Sequence, residues 1–104
     1  METLEALPFQ IKTGKTFLGK SPHRVGPSAI GCRDNPHGAT FTPNLKNERI
    51  CLVKADPRTR GLFGASWLLG YIGTLAKTNV EAVTIGSTTG PLGVIHRKLS
   101  LIHI

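Results

Sequence analysis

Residues 56–90 constrain this chain more than any other stretch, because their middle, residues 61–76, carries no charge. Leu62, Phe63, Trp67, Leu68, Leu69, Tyr71, Ile72 and Leu75 would cover most of a helix circumference there. A helix apolar on nearly every side has to be wrapped by other structure, so the pattern predicts a buried helix. Asp56 is placed to cap it, since its carboxylate can accept from free first-turn amides, and Pro57 suits the next position, where no amide donor is needed. Asn79 is placed to close the helix in a left-handed conformation. Residues 80–85 form a short apolar run in which Val83, Thr84 and Ile85 favour a strand, and residues 86–90 are a Gly/Ser/Thr loop.

At 104 residues the chain is one domain at most. Thirteen Lys and Arg against six Asp and Glu give a formal charge of +7, which would suit an anionic partner. The basic residues are scattered from Lys12 to Lys98, however, and neither one helix face nor an aromatic-studded strand gathers them. No nucleic-acid partner is therefore expected; a non-catalytic basic binding module is the alternative that the charge leaves open. Cys32 and Cys51 have no second pair for a zinc ribbon or a disulfide framework, which points to free thiols in a reducing, cytoplasmic setting. The first residues lack a basic region followed by an apolar core, so no signal peptide is read there. Residues 61–76 fall short of the ~20 that span a bilayer, so no membrane partner is expected either.

Upstream, residues 1–7 read as a helix with Leu4 and Leu7 one turn apart, interrupted by Pro8. Phe9, Ile11, Phe17 and Leu18 then suit a second helical piece or an irregular edge. Residues 24–30 suit a short strand with a bulged entrance at Gly26-Pro27. Residues 32–49 form a polar loop longer than the ~12–15 residues usual for connections without a role of their own. The run 50–53 is read as a minor strand or a rung tucked beneath that loop. Two strands joined through a helix imply parallel pairing. Parallel sheets need both faces covered, and so few elements cannot cover them. The chain therefore reads as a piece of a larger α/β protein.

Several stretches carry a family resemblance. They are residues 1–8 (Met-Glu-Thr-Leu-Glu-Ala-Leu-Pro), 24–31 (Arg-Val-Gly-Pro-Ser-Ala-Ile-Gly), Asn35-Pro36-His37-Gly38, Asp56-Pro57-Arg58, 62–67 (Leu-Phe-Gly-Ala-Ser-Trp), Leu69-Gly70-Tyr71 and 80–84 (Val-Glu-Ala-Val-Thr). Through them residues 1–97 resemble an internal segment of the D-apionate lactonase family, in which Met1 would be an internal methionine. The resemblance implies a fragment of a TIM (β/α)8 barrel, its last strands and helices only, with a β-rich domain downstream and the remainder of its own barrel missing. The implied substrate is a small-molecule sugar lactone, D-apionolactone, hydrolysed to D-apionate.

Barrel active sites lie on the loops after the strands. Here those loops begin after Ile30 and Ile85, so the clusters 32–38 and 87–90 are expected to face one pocket. Lactone hydrolysis needs a base to activate water and donors to stabilise the oxyanion. Asp34 or His37 can serve as base. Arg33 and Asn35 can donate to the lactone oxygen or to sugar hydroxyls, and Ser87, Thr88 and Thr89 can bind hydroxyls. Against this, Asp34-Asn35-Pro36 is also an ordinary turn signal. No metal or other cofactor is called for, since no His/Asp/Glu pair has helix-ligand spacing. Cys32 has no identifiable base and reads as a plain thiol. Asp56 and Arg58 are explained by capping, His23 lies at the wrong end of its strand, and Trp67 reads as core. A glycoside hydrolase barrel is the alternative enzyme, weakened because only Asp34 is offered where a carboxylate pair is required.

Residues 1–98 are thus expected to be a partial TIM-barrel domain. Residues 99–104 continue no upstream pattern and match one-frame translation of CTG TCT CTT ATA CAC ATC, the mosaic end of a transposase sequencing adapter. They are expected to be a non-native, adapter-derived tail. Reassembly of the parent DNA is expected to replace these codons after Lys98; a natural reading frame encoding all six would refute the assignment.

Overall fold

The computed structural model describes residues 2–31, 37–40 and 42–95. Its elements in chain order are helix α1 (Glu2–Leu18), strand β1 (Arg24–Ser28), a 3-10 turn (Pro57–Thr59), helix α2 (Leu62–Ala76), and strands β2 (Ala82–Ile85), β3 (Ser87–Thr89) and β4 (Gly93–Ile95). Strands β1 and β2 pair in parallel on either side of α2, as the helical crossover requires. Arg24 lies opposite Ala82 and Val25 opposite Val83, then the register slips before Ser28 meets Ile85. The slip falls at Gly26-Pro27, where the bulge was expected, and that peptide is cis.

Pro8 does not interrupt α1, which runs unbroken through it. Leu4, Leu7, Ile11, Gly14 and Leu18 are the half-buried positions, a stripe that stays in helical phase across the proline. The stripe packs in part on α2, and the helix persists although Pro8 withdraws one backbone donor. Phe9 and Phe17 lie off the stripe and are exposed.

The helix anticipated from Asp56 is broken into two pieces. Asp56 does act as a cap, accepting from the Arg58 amide at 2.8 Å, but what it caps is the 3-10 turn. Arg60 is then extended and Gly61 takes φ 79°, a left-handed value that an L side chain resists, so α2 starts afresh at Leu62. At the other end Lys77 closes α2 in a right-handed conformation, with the Thr78 amide and hydroxyl both donating to Leu75 O. The turn is satisfied from within the last helical residues, and Asn79 does not adopt the left-handed conformation expected of it.

Only Gly64, Tyr71 and Leu75 of α2 are buried, with Trp67 and Leu68 half-buried on the same side. Leu62 and Leu69 are 87% and 74% exposed. The all-round apolar helix is therefore covered on one stripe alone by the described residues.

The hydrophobic core among the described residues is Val53, Tyr71, Leu75 and Leu92. Tyr71 stacks on Trp67 with centroids 5.0 Å apart and shares a hydrogen bond with the Ser28 hydroxyl, fixing α2 against β1. Residues 50–53 form no strand, but Val53 is buried and the Thr42 amide donates to Leu52 O, so the run is the rung beneath the loop. Asn44 ties that loop together. Its amide nitrogen donates to Glu48 O and Ala55 O at 2.8 and 2.9 Å, and its oxygen accepts from the Glu48 amide. Gly31 lies where Lys54 and Leu92 converge, and a Cβ there would fall 2.5 Å from Lys54 O.

The expected polar loop after β2 is partly a strand pair. Ser87 and Thr89 of β3 lie opposite Gly93 and Ile95 of β4, and Gly93 N–H to Gly90 O closes the connection. Backbone pairing here is set by local turns rather than by apolar alternation, so the sequence pattern gave no signal for it.

With a core this small, the isolated 104-residue chain is expected to melt without cooperativity. Scanning calorimetry tests this. A single sharp transition approaching ~0.7 kcal/mol of enthalpy per residue would contradict it.

Candidate functional site

The 3-10 turn leads directly to a cavity. Asp56 is 2% exposed, and its carboxylate is satisfied from one neighbour. Arg58 donates from its amide and Nε to Oδ1 at 2.8 and 3.0 Å, and from a terminal guanidinium nitrogen to Oδ2 at 2.7 Å. The Arg58 side-chain hydrogen bonds hold the Asp56 pKa below its ordinary value of 3.8, against the opposing effect of burial. The same bonds push Arg58 up. The Thr59 hydroxyl donates to Asp56 O at 2.7 Å and approaches Pro91 O at 3.4 Å, linking the turn to the β3–β4 connection.

The cavity measures about 350 Å³ and opens where both parallel strands end. Ser28, Ala29 and Ile30 line it from the end of β1, and Ile85 and Gly86 from the end of β2. Thr59, Arg60 and Gly61 form the approach to α2, Gly64, Ala65, Trp67 and Leu68 the helix side, and Leu92, Gly93 and Val94 the rest. Most of this lining is apolar, with a few polar groups, as ligand cavities commonly are. Ser28 and Thr59 already engage Tyr71 and Asp56. Arg60 is the one charged lining residue among those described.

The stems of both loops singled out in the sequence reach this cavity, through Ala29 and Ile30 on one side and Gly86 on the other. Ser87, Thr88 and Thr89 follow Gly86 directly; Ser87 is half-buried, Thr88 and Thr89 are exposed, and none lines the cavity. His37 is exposed and does not line it. Arg33, Asp34 and Asn35, with Cys32, lie outside the described residues, as do residues 99–104. Thr59 and Arg60 were passed over in the sequence because a cap explained the Asp-Pro-Arg motif. The available signal was a second arginine immediately before a glycine at the start of a helix that leaves the strand ends.

A second cavity of about 380 Å³ lies at the opposite end, between α1 and the exit of α2, lined by Lys12, Lys15, Thr16, His23, Thr78 and Asn79 among others. His23 precedes β1, as expected for a residue away from the strand ends, and its Nδ1 is buried without a hydrogen-bond partner. Cys51 is a free, exposed thiol. Among the described residues no cluster of three or more His, Cys, Asp or Glu is placed to hold a metal, and no helix is long and apolar enough to cross a membrane.

Residues 1–101 match the family model described as D-apionate lactonase, TIM barrel domain. A D-apionate lactonase of Brucella anthropi is 37% identical over 94 residues, which is 90% of this chain and 15% of that protein. No solved structure matches the chain.

The buried carboxylate generates a prediction, tested with residues 1–98 grafted in place of the matching stretch of that full-length relative. Arg58→Ala strands a buried charge and is expected to cost about 2 kcal/mol or more. Asp56→Asn keeps a cap acceptor and is expected to cost about 1 kcal/mol. Because the folded-state pKa of Asp56 is depressed, the unfolded chain takes up the proton first as pH falls. The pair's stabilisation is complete above pH 3.8 and is lost as pH drops through the lower folded value. Denaturant melts of the graft and both variants against pH check this; equal losses from the two substitutions would refute it.

Proposed function

We propose that this chain, which belongs to the D-apionate lactonase TIM-barrel family, supplies late strands and helices of a barrel enzyme that hydrolyses a sugar-acid lactone, D-apionolactone, to D-apionate. It spans 15% of the length of the relative it matches, so the activity belongs to a longer protein. The observation that carries the reading is the cavity at the common end of β1 and β2, where a barrel places its chemistry. In this reading residues 1–98 are part of the barrel domain, in a reducing, cytoplasmic setting.

In the reaction, water adds to the ester carbonyl carbon, the ring C–O bond breaks, the departing alkoxide takes up a proton, and the new acid loses one to become a carboxylate. Asp34 or His37 removes the proton from water as the base. Arg33 and Asn35 donate to the carbonyl oxygen as it gains charge. Ser87, Thr88 and Thr89 bind sugar hydroxyls beside the β2 end. These roles are supported by position on the two loops whose stems reach the cavity.

The grafted full-length enzyme is expected to open D-apionolactone and to leave a panel of aryl glycosides intact. Asp34→Asn or His37→Ala is expected to lower kcat by roughly 10²–10⁴-fold, according to which is the base. Glycoside cleavage without lactone opening would replace the reading with a glycosidase, and full activity in both variants would remove the base from this loop.

A further inference from the structure

We propose that Arg60 is a substrate-binding residue of this site, its guanidinium holding the carboxylate that forms when the lactone ring opens; the inference rests on the lactonase reading. Among the described residues, four that line the cavity carry side-chain donors: Ser28, Thr59, Arg60 and Trp67. The Ser28 hydroxyl is engaged with Tyr71, and the Thr59 hydroxyl donates to Asp56 O. Trp67 is stacked on Tyr71 and can offer only a neutral indole N–H. Among the described lining residues, Arg60 is the one whose charge and planar fork match a carboxylate in two parallel hydrogen bonds.

Arg60 and Arg58 stand two residues apart and are used differently. The buried carboxylate of Asp56 takes Arg58 in a forked pair. Asp56 is the one buried charged residue of the described chain, and among the described lining residues there is no carboxylate beside Arg60. The backbone at Arg60 is also held in place. Its amide donates to Pro57 O at 3.2 Å, its own conformation is extended, and Gly61 turns the chain sharply into α2. An exposed cation on a held backbone beside a largely apolar cavity, at the strand ends, attracts an anion that arises in the reaction. The neutral lactone has no such charge, so the contact strengthens as the ester carbonyl oxygen becomes anionic and persists in the product.

The test uses the grafted full-length enzyme and two readouts. Calorimetric titration with D-apionate measures product binding, and steady-state kinetics on D-apionolactone separates kcat from KM. Arg60→Ala is expected to weaken D-apionate binding at least about tenfold and to lower kcat by roughly 10²-fold, with a small change in KM. Arg60→Lys, which keeps the charge and loses the fork, is expected to recover part of both. Arg60 is exposed, and an unchanged melting temperature in both variants separates binding from folding. D-apionate binding and kcat within about twofold of the unsubstituted graft in Arg60→Ala would overturn the assignment of Arg60 while leaving the lactonase reading in place. A graft that cleaves glycosides and neither binds D-apionate nor opens the lactone would overturn both.

Discussion

The forked pair between Asp56 and Arg58 is the interaction on which the rest of the site depends. A carboxylate removed from water is tolerated only when its oxygens are satisfied, and here one residue satisfies it three times, from an amide and from two guanidinium nitrogens. Those contacts close the 3-10 turn. The turn in turn sets the Thr59 hydroxyl against Asp56 O and near Pro91 O, so the segment before α2 and the segment after β2 are tied at one point. Arg60 and Gly61 follow in a geometry that the turn dictates, and the cavity wall is built from them.

The distribution of exposed apolar surface has a single physical explanation. Helix α2 buries one stripe against β1 and its neighbours and leaves Leu62, Leu69 and Ile72 in the open, while α1 leaves Phe9 and Phe17. The exposed strand positions Ala82 and Thr84 alternate with half-buried Val83 and Ile85, so one face of β2 packs inward and the other is left uncovered by the described residues. A parallel pair with one face bare is stable only inside something larger. The chain spans 15% of the length of a relative it matches.

Legibility in the sequence followed the range of the forces involved. The parallel pairing of β1 and β2, the bulge at Gly26-Pro27 and the Asp56 cap were readable because chain topology, proline chemistry and a short-range hydrogen bond determine them. The break between Thr59 and Leu62 was not, since Arg60 is compatible with helix and Gly61 alone marked a possible turn. Pro8 misled in the opposite direction: a local rule predicted an interruption, and the apolar stripe from Leu4 to Leu18 overrode it through packing. Strands β3 and β4 were invisible because their pairing rests on backbone turns around Gly86 and Gly90 rather than on side-chain alternation. The place of the site was legible through the ends of β1 and β2, whereas the lining by Arg60 required knowing which of two neighbouring arginines the buried carboxylate takes.

The two ends of the sheet divide stability from chemistry. At the amino-terminal end Glu81 N–H donates to His23 O at 2.7 Å, and the Arg24 guanidinium meets the Glu81 carboxylate at 3.0 Å across exposed surface. Such a pair contributes little energy by itself. At the carboxy-terminal end, Gly86 N–H to Ser28 O is the last rung, and beyond it the chains diverge around the cavity. The amino-terminal end holds the Arg24–Glu81 pair and a buried His23 Nδ1 without a partner, whereas at the open end the hydroxyls of Ser28 and Thr59 are engaged by Tyr71 and Asp56, and the exposed Arg60 beside them lines the cavity. That asymmetry follows from parallel pairing itself, because every strand presents its following loop on the same side, and a reacting group placed on any of them meets the others there.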